Sequence, residues 1–278
     1  MRAISRRQFA AAAAGFLAAA RLEADPLGLP IGCQTYPVRK AIGEDFPGTL
    51  KQLAGLGYRR IEMCSPPTYK GGYAPLIGMK ASDMRETIHA AGLGCESCHY
   101  GFAELKNNLD ERIAYAKELG LKQMVLATFG LPGSAPMADW TRSAEELNKI
   151  AEKVQAAGMQ QVFHNHNFEF KTIDGVLVYD QLMNTLDPKL VKMQFQVSVI
   201  SLGYEAATYL TKYPGRFQSM HLQDWSTTEK KDVAIGQGVV DWKKTFAAAK
   251  VGGIQNYFVE LDMEYLKPSC EYLHGLKV

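Results

Sequence analysis

The sequence predicts an α/β fold, a single-domain (β/α)8 TIM barrel spanning residues 25–278. After Asp25, short apolar runs alternate with amphipathic stretches through eight strand–helix units. That many units in about 250 residues is the usual size of such a barrel. Alternation of this kind places a parallel sheet inside a layer of helices. The competing architecture, an open doubly wound sheet, needs a glycine-rich phosphate loop after the first strand, where this chain has Tyr36-Pro37-Val38-Arg39. No low-complexity linker divides the chain.

The elements follow in order. Pro30 to Tyr36 reads as a strand and Phe46 to Leu56 as a helix stopped by Gly57. Tyr58 to Cys64 is the second strand; the helix from Ala81 to Ala91 has Ser82 as its N-cap and Gly92 as its stop. Gly94 to His99 is a strand, Leu109 to Leu119 a helix, and Gln123 to Thr128 a strand. Ser143 to Ala157 is a helix, because Ser143-Ala144-Glu145-Glu146 fits a capping box and Gly158 terminates it. The second half repeats the rhythm. Strands run over Gln160 to His166, Val191 to Val197, Phe217 to Leu222 and Tyr257 to Leu261. Helices follow over Val178 to Leu186, Glu205 to Tyr213, Trp242 to Lys250 and Ser269 to Leu276.

The 278 residues are 47% hydrophobic and 22% charged, an ordinary globular composition. A formal net charge of +2 carries no nucleic-acid footprint, so no nucleic-acid partner is expected. The first segment skews that charge. Ser5-Arg6-Arg7-Gln8-Phe9 precedes an alanine-rich apolar run from Ala10 to Ala20, the pattern of an export signal over residues 1–24. The run is too short for a stable membrane span. The paired arginines resemble the twin-arginine type, which implies the twin-arginine export machinery as a partner and a periplasmic or otherwise exported location. Cleavage after Ala24 removes four arginines and one glutamate and leaves 27 basic against 28 acidic residues, a net charge of −1.

Five cysteines (Cys33, Cys64, Cys95, Cys98 and Cys270) are too few and too odd in number for a disulfide scaffold. Cys95 and Cys98 form a C-x-x-C inside a strand, where residues three apart face opposite sides. With no second pair to complete a zinc site, they read as small buried residues.

A parallel barrel builds its active site at the C-terminal ends of its strands. Glu62 ends strand two and His99 ends strand three. Strand five ends in His164-Asn165-His166-Asn167-Phe168-Glu169, and strand six carries Gln194 and Gln196. Strand seven ends in His221-Leu222-Gln223-Asp224 and strand eight in Glu260-Leu261-Asp262. Alternation puts His164 with His166, His221 with Gln223, and Glu260 with Asp262 on shared faces. Imidazoles and carboxylates converging on one mouth suit a divalent ion. No H-E-x-x-H helix and no G-x-S-x-G elbow points elsewhere.

These residues also carry a resemblance. His164-Asn165-His166-Asn167-Phe168-Glu169-Phe170, Gly215-Arg216-Phe217 leading to His221-Leu222-Gln223-Asp224, Gly236-Gln237-Gly238 through Trp242, and Phe258-Val259-Glu260-Leu261-Asp262 stand in the order of one family. The chain resembles the sugar phosphate isomerase/epimerase group of xylose-isomerase-like barrels from Gly32 onward, to the closing Pro268-Ser269-Cys270-Glu271-Tyr272-Leu273. The resemblance implies a divalent metal (manganese, cobalt, zinc or magnesium) and carbohydrate chemistry at a carbon beside a carbonyl. It implies metal ligands at His164, Gln196, His221 and Glu260, with Glu260 also a base; His166, close by, is on chemical grounds the imidazole expected to share the catalytic role. Glu62, His99, Gln223 and Gln237 would contact substrate. Barrels of this group often pair as homo-oligomers. The chain departs from the group's pattern at Gln196, where an aspartate ligand is usual, at Gln223, where lysine is usual, and at Gln237, where glutamate is usual. An amide offers an oxygen without the charge that attracts a hard cation.

Three functions are therefore expected in turn. The first is a metal-assisted isomerase or epimerase acting on a small carbohydrate by proton transfer beside a carbonyl. The second is a keto-sugar lyase or hydratase on the same barrel. The third, from another class, is an exported sugar-binding protein with a degenerate site, as the three glutamines suggest. A DNA-repair endonuclease is disfavoured, because it needs several metals and a basic surface. Trp225, Trp242, Tyr36 and Tyr100 are candidates for stacking on a sugar face, with packing the bland reading for the two tryptophans.

Overall fold

The computed structural model describes residues 25–278, so the export signal expected at residues 1–24 lies outside the described residues. The barrel strands are β1 (Gly32–Gln34), β2 (Arg60–Cys64), β3 (Gly94–Tyr100), β4 (Gln123–Leu126), β5 (Gln160–His164), β6 (Val191–Gln196), β7 (Phe217–Leu222) and β8 (Asn256–Val259). All neighbours pair in parallel, and β1 closes on both β2 and β8, so the eight strands form a closed barrel. Two small hairpins, Thr172–Ile173 with Val176–Leu177 and Asp224–Ser226 with Lys231–Val233, decorate the loops after β5 and β7.

The helices bury one stripe each against the strands. In the helix Met137–Ala156, Trp140, Ala144, Leu147, Ile150, Ala151 and Val154 are buried at helical spacing. Fully burying each large apolar side chain stabilises the fold by about 1.5–3 kcal/mol. The same stripe corrects one expectation. Ser143 is an interior helical residue, and Pro136 is the N-cap, because Trp140 extends the apolar face upstream of the S-A-E-E sequence. The helix expected from Leu109 begins at Phe102, with Gly101 as its N-cap and an irregular turn at Asn108. Lys80, not Ser82, caps the helix Ala81–Ala90, and the final helix Met263–Gly275 starts six residues earlier than its pattern suggested.

Two ladders slip by one residue. In the β2–β3 pairing Ile61 faces Cys95 but Glu62 faces Ser97, so Glu96 is the extra residue. In the β6–β7 pairing Met193 faces Phe217 but Gln194 faces Ser219, so Gln218 is the extra residue. Bulges of this kind re-aim the side chains that follow them. Here they precede His99 and His221. All five cysteines are buried free thiols, as the strand reading of C-x-x-C expected.

Candidate active site

The barrel interior carries a polar layer where branched apolar side chains are the norm. Strand register sets it up, with Gln34 opposite Glu62, Glu62 opposite Ser97, and Ser97 opposite Gln123. Glu62 is fully buried and accepts four hydrogen bonds. Gln34 Nε2 donates at 2.7 Å and Gln194 Nε2 at 2.9 Å. Ser97 Oγ and His221 Nε2 supply the other two. His99 Nε2 lies 3.2 Å from the same carboxylate and donates to Gln194 Oε1 at 2.7 Å. Gln123 and Ser219 close the network, through Gln123 Nε2 to Ser97 Oγ at 2.7 Å and Gln194 Nε2 to Ser219 Oγ at 2.9 Å.

His221 links this layer to the mouth of the barrel. Its Nε2 meets Glu62, and its Nδ1 lies 3.1 Å from Glu260 Oε2. Ionised carboxylates only accept, so both ring nitrogens donate and the ring is an imidazolium. Burial disfavours that charge, but Glu260 and Glu62 outweigh it and raise the ring to about 10. Burial alone would likewise push the Glu62 carboxyl up, yet His99 and His221 hold it well below the ordinary carboxylate range. Glu260 is also lowered, because His221 outweighs its burial. Gln196 Nε2 donates to Glu260 Oε2, and Gln223 Nε2 donates to the Glu260 backbone carbonyl at 2.7 Å.

Above this layer opens a cavity of about 680 Å³. Its walls include His99, His164, His166, Gln196, Gln223 and Glu260, with Tyr36, Tyr69, Phe168, Thr128, Ser198 and Asp262. Burial holds His166 down at about 4, against the pull of Glu260, so at neutral pH it is a neutral base. Its ring stacks on Phe168 at 4.8 Å. Glu169, buried beneath, accepts from the His166 backbone N–H at 2.7 Å, and burial pushes its carboxyl up to about 8.

Most of the predicted residues converge here, with three corrections. Glu62 does not wall the cavity; it lies below, completely enclosed by its donors. Gln237 is exposed on a loop and does not line the cavity. Asp224 anchors that loop, accepting from Gly236 N and Trp242 Nε1 at 2.9 Å and from Val240 N at 3.2 Å. A Cβ at Gly238 would stand 2.1 Å from Asp224 Oδ1, and Gly236 has φ +87°, so the two glycines serve this turn and leave Gln237 outward. Tyr100 lines a separate cavity of about 460 Å³ behind β2 and β3, with Met63, Met84 and Tyr115. Trp242 is buried packing, and Tyr36 does reach the mouth.

Sequence reasoning missed Gln34, Ser97, Gln123 and Ser219. Their signal was polar residues breaking otherwise apolar strands. It also missed Tyr69, Thr128, Phe168 and Ser198, which sit in loops or at strand ends where no period marks them.

A divalent ion suits this donor set. His99, His164 and His221 offer one nitrogen each, and these atoms lie within 4.8 Å of one another. His164 Nδ1 is buried without a hydrogen-bond partner, as is Gln196 Oε1. Burial and the surrounding imidazoles keep His164 neutral, with its lone pair free for a metal.

A family model described as xylose isomerase-like TIM barrel matches residues 50–278. The inosose dehydratase of Geobacillus kaustophilus (strain HTA426) is 23% identical over 216 residues, which is 66% of this chain and 66% of that protein. The chain thus matches slightly under two thirds of that relative's length. Among solved structures, a sugar phosphate isomerase/epimerase from Parabacteroides distasonis ATCC 8503 superposes with a TM-score of 0.74 at 24% identity, over 88% of this chain and 94% of that one. The IOLI protein with a bound zinc atom superposes with a TM-score of 0.62 at 15% identity, over 88% and 94%. At these identities the structural likeness shows the fold.

Proposed function

Because the chain belongs to the xylose isomerase-like TIM barrel family, we propose that it is a sugar-modifying enzyme that moves a proton at a carbon beside a carbonyl. One observation carries this reading. The cavity holds two bases in complementary states, Glu260 kept ionised by His221 and His166 kept neutral by burial. Both are unprotonated at neutral pH, so each can take a proton from a substrate held between them.

A bound divalent metal, held by His164 and His221 beside Glu260, would polarise the substrate carbonyl and its neighbouring hydroxyl. The side chains do the rest. The Glu260 carboxylate takes the proton from the carbon. His221 Nδ1–H steadies the charge of Glu260 before the ion binds, and Gln196 Nε2 fixes its rotamer throughout. Gln196 Oε1 accepts a substrate hydroxyl. His166 serves the opposite wall as acceptor and then donor. Return of the proton to the adjacent carbon isomerises the sugar, and return to the other face epimerises it.

A second reading has its own support in the similarity to inosose dehydratase. There the proton lost to Glu260 is not returned. The hydroxyl one carbon further leaves as water with the proton that Glu260 has taken, and the double bond forms between the two carbons.

The acidic rim of Glu260 and Asp262, with Gln223 where a cation would serve a phosphate, favours an uncharged carbohydrate. The twin-arginine-like start at Ser5-Arg6-Arg7 supports work outside the cytoplasm. Among the described residues no helix is long and apolar enough to cross a membrane. Incubation with ketoses and cyclitol ketones in deuterated water, followed by proton NMR, tests the proposal. Deuterium at the carbon beside the carbonyl, lost in Glu260→Gln, is the expected result. Loss of water as well selects dehydration. Sugar binding with no exchange would return the degenerate binding protein.

A further inference from the structure

We infer that the ion at this site is held by three imidazoles, His99, His164 and His221, so that β3 supplies the ligand that β6 lacks. The inference rests on the metal part of the proposed function. It differs from the sequence expectation, which placed Gln196 among the ligands and His99 against substrate.

Two of the three rings already have the support that a metal-bound imidazole needs. Metal-bound imidazoles give their second nitrogen to a fixed acceptor. His99 gives Nε2 to Gln194 Oε1 at 2.7 Å, and His221 gives Nε2 to Glu62. Gln194 cannot turn round, because its Nε2 is spent on Glu62 Oε1 and Ser219 Oγ, both at 2.9 Å. His164 Nδ1 is enclosed and unpartnered. An orphaned buried polar atom costs about 1–3 kcal/mol unless something satisfies it.

The distances are within reach. A tetrahedral zinc site with bonds of about 2.05 Å sets its nitrogens roughly 3.3 Å apart. Atoms within 4.8 Å of one another need to close by no more than about 0.8 Å each. The rings are already neighbours, with centroid separations of 4.5 to 5.1 Å.

Gln196 is the competing ligand, since its Oε1 is also buried without a partner. Its other amide atom, however, is committed to Glu260. An amide oxygen is a weaker donor to zinc or cobalt than imidazole. Three nitrogens and one nearby carboxylate select borderline cations. Zinc, cobalt, nickel or iron is therefore preferred over magnesium, manganese or calcium.

The test uses the purified chain stripped by chelator and then loaded with Co²⁺ or Zn²⁺. Metal per chain is measured by elemental analysis, affinity by competition with a chromophoric chelator, and ligand type by the Co²⁺ visible spectrum and X-ray absorption. We expect one ion per chain, three imidazole scatterers, and Mn²⁺ and Mg²⁺ at least about 100-fold weaker. His99→Ala should weaken Co²⁺ at least about tenfold and alter its spectrum, while Gln196→Ala leaves both unchanged. His99→Asn keeps volume and polarity if the alanine variant fails to fold. An unchanged spectrum in both His99 variants, or an ion lost in Gln196→Ala instead, overturns the three-imidazole site and leaves the proposed function standing. A wild-type chain that takes up no ion overturns both.

Discussion

Glu62→Gln isolates the charge buried in the barrel from the shape that surrounds it. The two side chains are isosteric, but Glu62 accepts on both oxygens, from Ser97 and Gln194 on one and from Gln34 and His221 on the other. An amide nitrogen placed beside Gln34 and His221 faces two donors. Placed on the other side it faces Gln194 Nε2, while the Ser97 hydroxyl can turn to accept. That is the cheaper choice, and it still leaves one buried donor opposed, at about 1–3 kcal/mol. The lost charge adds to this. Removing one partner of a buried ion pair costs about 3–5 kcal/mol, but His221 keeps Glu260 as a second partner, so the lower part of that range applies. A total of about 4–6 kcal/mol lowers the Tm of a domain this size by roughly 8–24 °C. Thermal unfolding followed by circular dichroism at neutral pH measures it. The pH dependence supplies a second check. The folded Glu62 carboxyl is depressed, so its stabilisation is present above 4.5 and fades as pH falls through the lowered value. His221 is raised, so its share is present below 6.5 and fades as pH rises through about 10. The gap between wild type and variant should therefore be widest between those limits. A variant melting within about 2 °C of wild type would show that the network carries no net charge stabilisation.

Three further outcomes follow from the same geometry. Metal binding must expel a proton from His221 at any pH below about 10, so affinity should rise tenfold per pH unit; calorimetry in two buffers of different ionisation enthalpy should count about one proton released, and a pH-independent affinity would contradict it. Glu169 is protonated at neutral pH and costs stability as pH rises from 4.5 through about 8. Glu169→Gln should match wild type in urea below about pH 4.5 and exceed it at pH 9, and equal midpoints at both would remove the buried charge from the account. Gln237→Ala should leave kcat/KM within about twofold, whereas Gln196→Ala, which frees the Glu260 rotamer, should lower kcat by about 10- to 100-fold; the reverse order would put Gln237 back in the site.

The fold was legible because its signals are periodic and repeated. Eight strand–helix units and the stripes of Leu147, Ile150, Ala151 and Val154 leave few alternatives. Helix starts were less legible. The S-A-E-E sequence at Ser143 satisfies a capping rule, but the buried Trp140 upstream makes continuation more favourable than a new start. The rule that chemistry sits at strand ends found His164, His166, His221 and Glu260. It could not separate the residues in the cavity from those beneath it. Glu62 and His99 stand on neighbouring strands, two residues apart along them, and only the bulge at Glu96 decides which side chains of β3 turn inward. A one-residue slip carries no hydrophobic signature, so the enclosure of Glu62 was invisible before the strands were paired.

The glutamines argue for a working site more than a decayed one. Read alone, Gln196 and Gln223 are absences, a carboxylate and a lysine replaced by neutral amides. In the fold they are donors with fixed targets. Gln34 and Gln194 hold Glu62; Gln196 holds the Glu260 carboxylate and Gln223 its backbone. Two carboxylates and one imidazolium share this space, and a third carboxylate at position 196 would face Glu260 Oε2 with like charge.

 A buried like-charge pair of that kind raises one partner's pKa and protonates it. The amide at 196 avoids that and keeps Glu260 ionised as a base. The missing negative charge also fits a ligand set that leans on nitrogen, since three imidazoles, once His221 gives up its proton, bind a borderline cation without adding negative charge to the layer. Gln196→Asp separates the two accounts. If the amide is decay, restoring the carboxylate should improve hard-cation binding and turnover. If the amide is part of the design, Gln196→Asp should lower turnover at neutral pH and shift its acid limb upward, as the new pair shares a proton. A pH–rate profile of that variant decides, and a gain in kcat/KM at neutral pH would refute the argument.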